Sequence, residues 1–109
     1  MFTKKVDTGY RELIEGVEMK TLAHGDKTLL AKFHLSKGAA IPMHAHIYEQ
    51  TGYMVSGRMR FTIGSEQFEC EPGDTWCIAG DVEHGVDVLE DAVVVEVFSP
   101  VREDYLPGS

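Results

Sequence analysis

Glycine-bearing turns recur along the chain at intervals of roughly ten residues, and that spacing restricts the fold more than any other feature. Between the turns lie short apolar runs: "TLLAKFHL", "YMVSG", "RMRFTIG", "EQFECE", "TWCIA" and "AVVVEVFS". They are strand-sized and rich in Val, Ile, Phe, Tyr and Trp, which suit a pleated, half-buried surface. The separators "SKGA", "IGSEQ", "EPGD" and "AGDVEHG" carry the residues that turns require. "YRELIEGVEMKTL" comes nearest to a helical stripe, but Gly16 interrupts it, and it reads as a loop followed by a strand. The expectation is an all-β sandwich or barrel. Ser56-Gly57 and Gly64-Ser65 each read as hairpin turns that pair consecutive strands antiparallel.

A chain of 109 residues supports one core, so residues 1–109 read as one domain, with the core at about 16–100 and a short tail at 101–109. The hydrophobic share, 43%, is enough to fold it. A net charge of −8 argues against a nucleic-acid or anionic-membrane surface, since both call for a basic patch. The start, "MFTKKVDTGYRELIEG", has no apolar leader, and no run is long enough to span a bilayer. Cys70 and Cys77 form no CxxC and read as free thiols. Together these features predict a cytoplasmic protein.

The stretch "PMHAHIYEQTGYMVSG" carries the chemistry. His44 and His46 alternate, so on a strand both imidazoles face one side. Gln50 is in phase with them if the strand stays regular, and Glu49 is not. A turn near Ile47 would change that phase, so periodicity leaves the choice between them open. An H-x-H pair also occurs on exposed strands; a nearby amide or carboxylate and a later histidine strengthen the case for a site. That histidine is His84, which follows a Gly-Asp turn and which a barrel would bring round to face the pair.

In "AVVVEVF", Ala92, Val94, Glu96 and Phe98 share one strand face, and Val93, Val95 and Val97 share the other. Both faces are apolar, which predicts a strand covered on both sides and places Glu96 in a cavity or interface. A buried carboxylate is costly unless it is paired or functional. Arg102, just past Pro100, can fork onto a substrate carboxylate or pair with Glu103 or Asp104. His24 and His34 read as surface or strand-face residues, Glu49 as a supporting or solvated carboxylate, and Met43, Met54 and Met59 as core filler. Tyr48, Tyr53 and Trp76 read as core or dimer packing.

"GAAIPMHAHIYEQTGYMVSG" resembles the first motif of the cupin superfamily, G-x5-H-x-H-x3or4-E-x6-G, with Gly38, His44, His46 and Gly57 in register. In that register Gln50 occupies the position of the usual glutamate. "GDTWCIAGDVEH" resembles the second motif, G-x5-P-x-G-x2-H-x3-N, through Gly73 and His84, while Ala79, Asp81 and Val88 replace Pro, Gly and Asn. The resemblance implies a small antiparallel double-stranded β-helix, the cupin or jelly-roll barrel. It also implies one divalent metal ion (Fe, Mn, Ni, Co or Zn) on His44, His46, Gln50 and His84. Three imidazoles and an amide oxygen suit such an ion. Glutamine in place of glutamate leaves the site at +2 instead of +1, which makes a stronger Lewis acid and a better anchor for an anion.

The C-terminal "VVVEVFSPVREDYLP", together with "DVEHGVDVLEDA", resembles the KdgF type of single-domain cupin. That type linearises 4,5-unsaturated uronate monosaccharides from pectin and alginate. The resemblance implies Glu96 and Arg102 as catalytic residues, Phe98 and Arg102 as substrate contacts, and a small anionic sugar acid as substrate. Glu96 stands where an aspartate is expected, one methylene longer with the same charge. Exposed strand edges on so small a chain predict a homodimer. Two other readings share these residues: a cupin dioxygenase acting on an enol-like substrate, and a non-catalytic sugar-acid-binding cupin.

Overall fold

The computed structural model describes residues 1–108. Eight strands follow one another: β1 (Arg11–Ile14), β2 (Val17–His24), β3 (Leu29–Leu35), β4 (Ala40–His44), β5 (Glu49–Ile63), β6 (Glu66–Cys70), β7 (Thr75–Ile78) and β8 (His84–Ser99), then a single 3₁₀ turn at Glu103–Tyr105. Every pairing is antiparallel. The architecture is all-β and antiparallel, as expected.

Strands β5 and β8 form the spine, paired from Glu49–Ser99 to Ile63–His84. Each serves two halves of the barrel. The first part of β5 and the last part of β8 are flanked by β7 and by β3, β2 and β1. The other ends are flanked by β6 and β4. Side chains alternate across the sheet, so Leu29, Ala31, Phe33 and Leu35 of β3 and Ala92, Val94, Glu96 and Phe98 of β8 are all buried. The core continues through Val17, Met19, Met54, Met59 and Phe61.

Several expectations change. Ser56-Gly57 is not a hairpin, because β5 runs straight through it. The register shifts there against β8, and Gly57 adopts φ 86°. A Cβ on Gly57 would lie 2.1 Å from the Asp91 carbonyl oxygen and 2.5 Å from the Ala92 Cα. This is a glycine bulge, which bends the long strand between the two halves. Gly64-Ser65 does close a two-residue hairpin between β5 and β6. Arg11–Ile14, expected as loop, is strand β1, turned onto β2 through Gly16 at φ 79°. The sheet therefore begins ahead of the expected core boundary.

The tail also joins the body. Tyr105 is buried and packs edge-on against Phe98 and Phe33. Its carbonyl accepts from the Thr21 hydroxyl, and the Asp104 carbonyl accepts from Arg11. The outward face of β8 differs from expectation too: Val93, Val95 and Val97 are only half-buried, so the described residues of one chain supply no full second cover. Replacing Gly57 with Ala should destabilise the fold by about 2 kcal/mol or more, from the positive φ and the collision with β8. A lowered urea midpoint at unchanged slope would show this.

Candidate metal centre

Strand β4 ends at His44, which stands opposite His84, the first residue of β8. The two imidazoles are therefore cross-strand neighbours, with ring centroids 4.3 Å apart. His46 lies in the link to β5, its ring 4.9 Å from that of His84. That link is held by the loop ahead of His84: the Asp81 N–H donates to the His46 carbonyl at 2.7 Å. Asp81 has φ 67°, the left-handed conformation that glycine usually supplies and that Asp tolerates better than most residues. The departure from the motif glycine thus preserves the turn. Val88, at the motif's asparagine position, is simply core.

One ligand atom from each of the three histidines fits within 4.8 Å of the others. Their tautomers are set locally. His44 Nδ1 faces the Pro42 carbonyl at 2.9 Å, His46 Nδ1 the Tyr48 carbonyl at 3.1 Å, and His84 Nδ1 the Val82 carbonyl at 2.9 Å. A carbonyl only accepts, so each Nδ1 carries the hydrogen and each Nε2 keeps its lone pair. His46 Nε2 is buried with no hydrogen-bond partner. Burial lowers the pKa of His46 and of His84, and the neighbouring charges of Arg102 and His44 push the same way. Three gathered imidazoles, each with Nδ1 turned to a carbonyl and Nε2 left over, and one of these nitrogens orphaned, fit a divalent cation.

Residue 50 is where sequence phase left two options. Strand β5 starts at Glu49, so Gln50 points inward and is 5% exposed, while Glu49 is exposed near Cys77. The Gln50 Nε2 donates to Glu96 Oε2 at 2.6 Å. Glu96 is buried and also accepts from Trp76 Nε1 at 2.8 Å. Burial raises its pKa; the two hydrogen bonds and Arg102 partly offset this. A glutamate at position 50 would set two carboxylates at that contact, where they could not both ionise. The amide therefore does two things: it puts an uncharged oxygen where a carboxylate would stand, and it gives the buried acid a donor.

Phe98 and Arg102 complete the group. The Arg102 guanidinium stacks on Tyr105 at 3.9 Å from the ring centre and lies 5.2 Å from Phe98 and 5.3 Å from Tyr48. Its Nε pairs with Asp104 at 3.0 Å. All of these residues except Asp104 and Tyr48 line one cavity of about 360 Å³, whose other walls are apolar. Two lining residues escaped the sequence reading. Trp76 passed as packing, and Tyr105 lay in a stretch that looked like a tail. His34 instead stacks on Tyr10, His24 is exposed, Tyr53 lies toward the surface, and Met43, though exposed, lines the cavity.

The cupin-domain family profile matches residues 31–99. The chain belongs to the cupin family. Over 102 residues this cupin is 31% identical to the pectin degradation protein KdgF of Dickeya dadantii (strain 3937), covering 92% of its own length and 93% of that protein's. The solved structure of KdgF from Halomonas sp. superposes with a TM-score of 0.87 at 28% identity, covering 92% of this chain and 94% of that one. An RmlC-like cupin from Shewanella frigidimarina superposes at 0.90 with 25% identity, covering 96% and 95%.

Two outcomes follow from the site. His84→Ala should weaken binding of a divalent ion by more than the roughly 100-fold typical of losing a supporting partner, read by titration calorimetry. The Tyr105 phenol, buried, has its pKa pushed up to about 12. A phenol held neutral by the fold contributes in full below its unfolded pKa, about 10, and loses that contribution as pH rises to about 12. Wild-type stability should fall by about 2 kcal/mol more than that of Tyr105→Phe across this window, in urea melts at stepped pH.

Proposed function

We propose that this cupin is a metal-dependent enzyme that linearises 4,5-unsaturated uronate monosaccharides. The observation that carries the reading is the placement of Glu96: a buried carboxyl, hydrogen-bonded to Gln50 beside three converging imidazoles, in the cavity that Arg102 also lines. The likeness to a pectin degradation protein over nearly the whole chain supports the substrate class.

His44, His46, His84 and the Gln50 side-chain oxygen would hold the ion. Once bound, it would supply Lewis-acid polarisation of a substrate oxygen. Arg102, with its Nε engaged by Asp104 and its face on Tyr105, has its terminal N–H groups for a fork onto the uronate carboxylate. Phe98 forms an apolar wall for the sugar ring. Glu96 moves the proton. In the reaction the hemiacetal O–H loses its proton, the bond between the anomeric carbon and the ring oxygen breaks, and the freed enol takes up a proton at carbon to become a ketone. The change is an isomerisation and consumes no oxidant.

The proposal includes a cytoplasmic location, which the free thiols Cys70 and Cys77 support. It also includes a homodimer, for which the half-buried valines outside β8 and the exposed Tyr53 and Val55 offer an apolar face. A dimer mass in light scattering would support the assembly, and a monomer mass would remove it.

The deciding assay follows the ultraviolet absorbance of freshly generated 4,5-unsaturated galacturonate. Decay of the conjugated double bond should be faster with protein, stop on chelation and return with one divalent ion. Glu96→Gln should lower kcat about 100-fold with metal content unchanged. Oxygen uptake in place of isomerisation would favour a dioxygenase, and a bound but unchanged sugar acid would favour a binding protein.

A further inference from the structure

Trp76 on β7 and Glu96 on β8 are not on adjacent strands. Both are Cα partners of Gly52 on β5, so the three residues form one row across three strands. The row spans two strand spacings, about 9–10 Å. A side chain at the middle position would ordinarily separate its two neighbours. Here the position is glycine, and the indole lies across it. A Cβ built on Gly52 would sit 2.2 Å from Trp76 Cε2 and 2.3 Å from both Cζ2 and Nε1. By crossing β5 through this gap, the indole N–H reaches Glu96 Oε2 at 2.8 Å.

The Gln50 amide donates to the same oxygen at 2.6 Å. Both hydrogen bonds end on Oε2, and Oε1 receives neither. Two donors on one oxygen restrain rotation of the carboxyl and leave Oε1 outside both contacts, on a residue that lines the cavity.

We propose that Trp76 is a positioning residue for Glu96, admitted to the site by the missing side chain at Gly52, and that it holds the carboxyl with Oε1 toward the substrate. The proposal rests on the reading of Glu96 as the proton carrier. A phenylalanine at position 76 would fill much of the same space but lacks the N–H. A methyl at position 52 would move the indole off the row while leaving Trp76 in the chain. The two variants therefore break the same contact from different sides.

Trp76 is the sole tryptophan, so a nitrogen-15 spectrum contains one indole N–H signal. In the wild-type protein this signal should be shifted from that of a free indole and slow to exchange with water. In Glu96→Ala and in Gly52→Ala it should move toward the free-indole position, with the circular dichroism of the fold retained. An indole signal at the wild-type position in Glu96→Ala would overturn the contact, whatever the reaction. With freshly generated 4,5-unsaturated galacturonate, Trp76→Phe should lower kcat about tenfold at unchanged KM and metal stoichiometry. Adding Trp76→Phe to Glu96→Gln should lower it no further, because the tryptophan acts through the acid. A Trp76→Phe enzyme with wild-type kcat, or one whose loss tracks loss of metal, would overturn the role. If the wild-type protein does not accelerate the reaction, the proposed substrate fails, and the indole signal still decides whether Gly52 couples Trp76 to Glu96.

Discussion

The pairing of β5 with β8 is the constraint on which the rest of the molecule depends. It brings Gln50 beside Phe98 and Gly52 beside Glu96 at one end, and Ile63 beside His84 at the other. The other six strands attach to this ladder or to one another. A shift of one residue in its register would turn every inward side chain outward and scatter the site, so the burial of Met54, Val94 and Phe98 also keeps the polar groups aligned. The bulge at Gly57 bends the ladder and shifts its register, so the two ends are paired in registers one residue apart.

The electrostatics of the cavity follow from glutamine at position 50. Three imidazoles and a carboxamide offer uncharged donor atoms to a cation, while the same carboxamide turns its NH₂ toward the buried acid. The positive charge of Arg102 lines the same cavity, spread over aromatic faces and steadied by Asp104. The cavity thus separates a place for a cation, an acid and a cationic clamp within apolar walls, a layout suited to a small anion with several oxygens.

Alternation alone was enough to place Ala92, Val94, Glu96 and Phe98 on one buried face, and motif spacing singled out the three histidines that the fold assembles. Position 50 needed both, since the strand carrying His44 stops before it and β5 restarts the phase. Other features were hidden for definite reasons. A glycine bulge and a two-residue hairpin use the same residues. What distinguishes Ser56-Gly57 from Gly64-Ser65 is the close approach of Asp91 and Ala92, which lie far away in sequence. Four residues of β1 are too few to show a period before Gly16. Tyr105 sits among Glu103, Asp104, Pro107 and Gly108, all loop-like, and only its packing on Phe98 reveals it as core. Trp76 gains its meaning from two partners on two other strands, a relation that no linear pattern displays.

Each histidine is oriented by a carbonyl only two residues away, so the aim of each ring is set by its own short piece of backbone. The barrel meanwhile closes on a large apolar cluster, and of the four candidate ligands only Gln50 and His84 are buried. These two facts separate assembly of the protein from loading of its ion. In a zinc finger the metal holds the chain together, and removing it unfolds the domain. An ion bound at the three histidines would be a guest in a container already closed by its core. Such a site would take its ion from the local supply and could be refilled without unfolding of the chain.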